Sequence, residues 1–117
     1  MNVPEEDQRV PGTIVDFVHE VIDRLETVHV LILLHATAPR GWSILDVSHQ
    51  RQSSAYSAEL SLTRLAQAGL LVRQDGLFRF QPATSELANQ AASLVWWYQT
   101  RPTTVIALIF SGQRGLT

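Results

Sequence analysis

The residues able to do chemistry are of few kinds: four histidines, nine arginines, eleven carboxylates and a scatter of serines, with no cysteine and no lysine. Without cysteine there is neither a thiolate for a metal nor a disulfide, which suits a reducing compartment. His29 and His35 stand six positions apart, on different faces of a helix, whereas two ligands on one helix must lie one turn apart. His19 and Glu20 are adjacent and diverge in the same way. No metal and no cofactor are therefore expected. None of the serines lies in a strand-to-helix elbow and no glycine-rich phosphate loop exists, so no enzymatic activity is expected either.

What remains is charge and its placement. The formal net charge is −2, which argues against a strongly basic nucleic-acid binder, but the distribution is uneven. Residues 1–26 hold two arginines against seven carboxylates, residues 27–81 five arginines against three, and residues 82–117 two against one. The front is acidic and the middle mildly basic.

The elements that must position these groups follow from periodicity. Residues 1–12 read as a flexible lead ending in the turn signal Pro11-Gly12. Thr13 is the expected N-cap of a first helix, with Asp16 in the capping-box position, and Ile14, Phe17, Val18, Val21, Ile22 and Leu25 form its apolar stripe. Residues 26–36 are almost wholly apolar and predict a buried helix, ended by Pro39 and Gly41. Ser43, followed three residues later by Asp46, opens a short helix over residues 44–49.

Residues 53–82, SSAYSAELSLTRLAQAGLLVRQDGLFRFQP, are the centre of the chain. Ser53 or Ser54 caps a helix with Ala58, Leu62 and Leu65 inward, and Gly69 supplies the left-handed residue after its end. Leu70 to Arg73 and Leu77 to Phe80 alternate as two strands about Asp75-Gly76. If Phe78 and Phe80 face the core, Arg79 faces out. A helix resumes from Ser85 through Leu87, Ala91, Leu94, Val95 and Tyr98, breaks near Thr100 ahead of Pro102, and ends in a last apolar turn or two, with residues 111–117 expected to fray.

The order helix, short helix, turn, helix ending Ala68-Gly69-Leu70-Leu71-Val72 and hairpin Asp75-Gly76-Leu77-Phe78 resembles the winged helix-turn-helix of small bacterial regulators such as the MarR and ArsR families. The resemblance covers residues 27–82 and implies a mostly α, α+β fold: a winged helix-turn-helix with a two-stranded wing and flanking N- and C-terminal helices. The single domain is expected over residues 13–110. In that family the helix after the turn enters the major groove of double-stranded DNA and the wing lies on phosphate or in the minor groove. Carried over, the DNA-binding residues are Arg51, Gln52, Ser54, Tyr56, Ser57, Arg64, Arg73 and Arg79. Glu59 and Leu60 depart from the pattern, standing where such helices offer Arg, Lys or Gln.

Trp96-Trp97-Tyr98 is the remaining cluster. Adjacent helical residues diverge by about 100°, so one small core cannot take both tryptophans together with Val105, Ile106, Ile109 and Phe110. Rigid aromatics beyond a core's need are typical of interfaces, so these seven residues are expected at a homodimer or partner contact. The longest apolar runs, residues 28–38 and 105–110, fall short of the roughly 20 residues that a membrane span needs. The first twelve residues do not resemble a signal peptide, and a cytoplasmic protein is expected. The function expected is DNA binding in transcriptional regulation. The alternative is a winged-helix protein–protein interaction module that does not bind DNA.

Overall fold

The structure, a computed structural model, describes residues 10–114, with side chains described through residue 111. The elements run α1 (Gly12–Val21), α2 (Leu25–Ala36), α3 (Ile44–Arg51), α4 (Ala55–Gln67), β1 (Leu71–Gln74), β2 (Leu77–Phe80), α5 (Ser85–Thr100) and α6 (Pro102–Arg114). The protein is thus mostly helical with one small antiparallel sheet. Residues 1–9 of the lead and 115–117 of the tail lie outside the described residues.

Local chemistry sets the ends of most elements. The Ser43 hydroxyl accepts from the Asp46 amide at 3.0 Å and opens α3, and the Ser54 hydroxyl accepts from the Ser57 amide at 3.0 Å and opens α4. Helix α4 stops at a glycine with φ +86°. There the Leu70 amide donates back to the Leu65 carbonyl and the Gly69 amide to that of Ala66, the paired closure of a left-handed helix end. Leu70 is spent on this closure, so β1 begins at Leu71, one residue later than the alternation suggests. Asp75 and Gly76 both adopt positive φ, 55° and 78°, the tight turn whose twist suits a two-stranded hairpin. The register pairs Leu71 with Phe80 and Gln74 with Leu77.

The sheet gains a further partner from the loop before α3. Trp42 and Phe78 exchange both backbone hydrogen bonds, each at 2.8 Å. This isolated bridge ties the entrance of α3 to the hairpin. Nothing in the periodicity of the sequence announces it.

Two expectations at the front of the chain need correction. Thr13 is not the N-cap: the Ile14 and Val15 amides bond to the Pro11 carbonyl, so the helix starts at Gly12 with no side-chain cap. The apolar stripe running to Leu25 is not one helix either. It breaks after Val21, Ile22 and Arg24 are extended, and the kink turns Arg24 toward α4. At the other end, α6 runs as helix to Arg114.

One core unites these parts. Val28, Val30, Leu31 and Leu34 of α2, Ala58, Leu62 and Leu65 of α4, Phe78 of β2, and Ala91 and Leu94 of α5 are fully or almost fully buried. Helix α2 sits at the centre, touching α3, α4, α5 and β2, while α1 packs on α5 and α6. Burying each of these Val, Leu and Phe side chains stabilises the fold by about 1.5–3 kcal/mol, and each Ala by less. The chain break between α5 and α6 falls at Arg101, just ahead of Pro102, as proline's missing N–H demands.

Candidate nucleic-acid interface

Helices α3 and α4 and the hairpin β1–β2 carry the residues expected at DNA. The outward face of α4 carries Ala55, Tyr56, Glu59 and Leu60, all exposed, with Thr63 half-buried. Tyr56 is 72% exposed and Leu60 39%. Gln52, in left-handed conformation at the turn, and Ser54 are exposed beside them. No cation occupies this face of α4.

The arginines expected there are used inside the protein. Arg64 sends Nε to the Val21 carbonyl at 2.9 Å and Nη2 to the Glu20 carbonyl at 2.8 Å. It thereby caps the C-terminus of α1, where unpaired carbonyls and the helix dipole favour a cation. The break after Val21 and the position of Arg64 are two sides of one contact. Arg51 forms a two-pronged ion pair with Glu26, Nε and Nη2 each at 2.9 Å from a carboxylate oxygen, geometry suited to the planar guanidinium. That hydrogen bond holds Arg51 above its ordinary pKa. Ser57 receives Arg24 on both its hydroxyl and its carbonyl at 3.1 Å, and the same guanidinium reaches the Ser61 hydroxyl at 2.8 Å. Arg51, Ser57 and Arg64 are therefore structural links between α4, α3 and the two N-terminal helices, a correction to their expected placement at the DNA surface.

The wing keeps its charge available. Arg73 lies exposed with its guanidinium 5.0 Å from the Phe78 ring centre. Arg79 reaches the side-chain oxygens of Gln74 at 3.1 Å and Gln81 at 3.4 Å. Arg40, not among the residues expected at DNA, is exposed and stacks 3.9 Å above the Trp42 ring. Trp42 bridges to Phe78, which brings Arg40 to the hairpin; Arg73 pairs with Phe78 on one face of the strands and Arg79 with Val72 on the other, with Asp75 at the turn the one carboxylate of the hairpin. The signal for Arg40 was its place two residues before a tryptophan, but only the Trp42–Phe78 pairing brings it to the hairpin.

The aromatic cluster divides between core and surface. Trp97, Val105 and Ile109 are buried in the protein's own core, and Tyr98 is half-buried with its hydroxyl on His29. Trp97, Val105 and Ile109 are corrected from interface to interior: the break at Arg101 folds α6 back on α5, giving the core more room than the linear pattern suggests. Trp96 and Phe110 stay 55% and 53% exposed, and Ile106 is half-buried. Trp96 stands edge-on to Trp97, their ring centres 5.2 Å apart.

Among the described residues no three His, Asp or Glu side chains cluster as a metal site would need, and no helix is long and apolar enough to cross a membrane. No family model matches the chain, and no similarity to a curated protein emerges from comparison of the sequences.

Proposed function

We propose that the chain is a winged-helix DNA-binding transcriptional regulator that grips duplex phosphate chiefly with its wing. The observation that supports this reading is that Arg40 beside the hairpin and Arg73 and Arg79 on its two faces are tied to no carboxylate among the described residues. The order of elements supports it: a helix, a bridging residue at Trp42, two helices joined by a short turn and a hairpin, the bridge pairing with the second hairpin strand. In such a unit α4 faces the major groove and the wing the flanking backbone. Helix α4 then contributes shape and hydrogen bonding through Tyr56, Ser54 and Gln52, and the arginines contribute the electrostatic attraction.

Three cations give one copy little affinity, so the regulator works as a homodimer, joined through Trp96 on α5 and Phe110 on α6, which stand exposed beside the core. A second reading has one specific observation in its favour. Leu45, Tyr56 and Leu60 are exposed on α3 and α4 with Glu59 among them, a surface that suits a protein partner better than phosphate. Binding to a mixed-sequence duplex at low salt separates the two. Binding that weakens with salt and with Arg79→Ala supports the first; absence of binding leaves the second.

A further inference from the structure

A groove between α2, the end of α3 and the junction of α5 with α6 plays no part in the proposed DNA contacts. It is open to solvent, offers about 670 Å³ and has apolar walls of Ile32, Leu33, Ala36 and Pro102, a size and character common among small-molecule sites. Its polar lining is Arg51, His29 and Tyr98, with the amides of Gln50 and Gln99 beside them.

The hydrogens among the first three can be assigned. An arginine nitrogen only donates, so the 2.6 Å contact from Arg51 Nη2 makes His29 Nδ1 an acceptor. Burial first, and the Arg51 charge second, hold His29 below its ordinary pKa against the opposing pull of Glu26. The ring is therefore neutral at neutral pH, its single hydrogen on Nε2. Because it is neutral, its 4.0 Å approach to the Glu26 carboxylate is not an ion pair. Nε2 donates to the Tyr98 hydroxyl at 2.7 Å. The Tyr98 oxygen is thus used as an acceptor, and the hydroxyl has no other hydrogen bond among the described residues. Its own hydrogen is left to be given away. The ion pair with Glu26 anchors this relay, because it fixes the guanidinium that fixes the imidazole.

We propose that the groove binds a small aliphatic monocarboxylate, its chain along Ile32, Leu33, Ala36 and Pro102 and one carboxylate oxygen accepting the Tyr98 hydroxyl hydrogen. An ionised acceptor gains most from such a donor. A ligand whose polar end only donates, such as an alkylammonium, meets a hydroxyl already committed on its acceptor side and an arginine of like charge. This inference stands apart from the DNA-binding reading and does not require it.

Calorimetric titration of the full chain with octanoate and with octylamine at neutral pH tests the proposal. Octanoate is expected to bind with a dissociation constant of about 1 mM or tighter, and octylamine more weakly. Tyr98→Phe, which removes the hydroxyl and keeps the ring, is expected to weaken octanoate about tenfold. No octanoate binding, equal binding of the amine, or an unchanged affinity in a folded Tyr98→Phe overturns the proposal. Should Tyr98→Phe fail to fold, the acid-against-amine comparison on the unaltered chain decides by itself.

Discussion

The wing arginines make a quantitative forecast about salt. Each phosphate neutralised on duplex DNA contributes a slope of about −0.9 to the logarithm of the binding constant against the logarithm of salt concentration. If Arg40, Arg73 and Arg79 each neutralise one phosphate, as the proposed function requires, the slope is about −2.7 for one copy and about −5.4 for a dimer. Raising salt from about 50 to about 200 mM then weakens a dimer by roughly a thousandfold and a single wing by roughly fortyfold. The assay is fluorescence anisotropy of a labelled mixed-sequence duplex across a salt series. Arg79→Ala is expected to flatten the slope by about 0.9 per wing. Arg64→Ala is the control, because its guanidinium is spent on the Glu20 and Val21 carbonyls: it is expected to leave the slope where it was. A slope near zero, or an Arg64→Ala variant that flattens the slope as Arg79→Ala does, would refute the assignment of phosphate contact to the wing.

Stability measurements test the internal roles. Arg64→Ala strips two charged donors from the end of α1 and is expected to cost about 1–2 kcal/mol in urea unfolding; no loss would mean that water caps the helix equally well. Trp97→Ala opens a cavity in the core and is expected to cost about 3–5 kcal/mol. Trp96→Ala, on the exposed neighbour, should change unfolding by less than about 1 kcal/mol and instead shift light scattering from dimer to monomer on dilution. The pH dependence follows from His29, whose pKa is lower in the folded chain than its ordinary 6.5. Below that value the unfolded chain takes up a proton that the folded chain resists. Folding stability contributed by His29 is therefore fully present above pH 6.5 and lost as pH falls through the lowered folded value. A melting temperature that falls on acidification, and falls less in His29→Gln, is the expected result; identical pH profiles for the two proteins would remove His29 from the account.

The element pattern was readable along the chain wherever its cause is local. Ser43 and Ser54 cap their helices through bonds to amides three residues away, Gly69 and Asp75-Gly76 accept positive φ, and Pro102 breaks the last helix. The inward stripe Ala58, Leu62 and Leu65 was equally legible, since helical period alone places those three on one face. The break after Val21 was not, because its compensation comes from Arg64, forty-three residues onward. The aromatic surplus was half legible: adjacency correctly separates Trp96 from Trp97, but which of them is buried depends on α6 folding back across α5.

The candidate site shows the same division. Charge counting along the chain found five arginines in residues 27–81, and nothing about a lone arginine in a sequence reveals whether its partner is water or protein. Only the folded chain pairs Arg51 with Glu26 and lays Arg64 on the end of α1, leaving Arg40, Arg73 and Arg79 for the wing. The sequence by itself determined where helices start and stop, where the hairpin turns and which faces are apolar, since those depend on backbone conformation and residues within a turn of one another. The tertiary structure alone decided which charges are free, which tryptophan is covered and how a histidine, a tyrosine and an ion pair meet at one groove. Those outcomes depend on groups far apart in the chain, brought together by burial of the core they share.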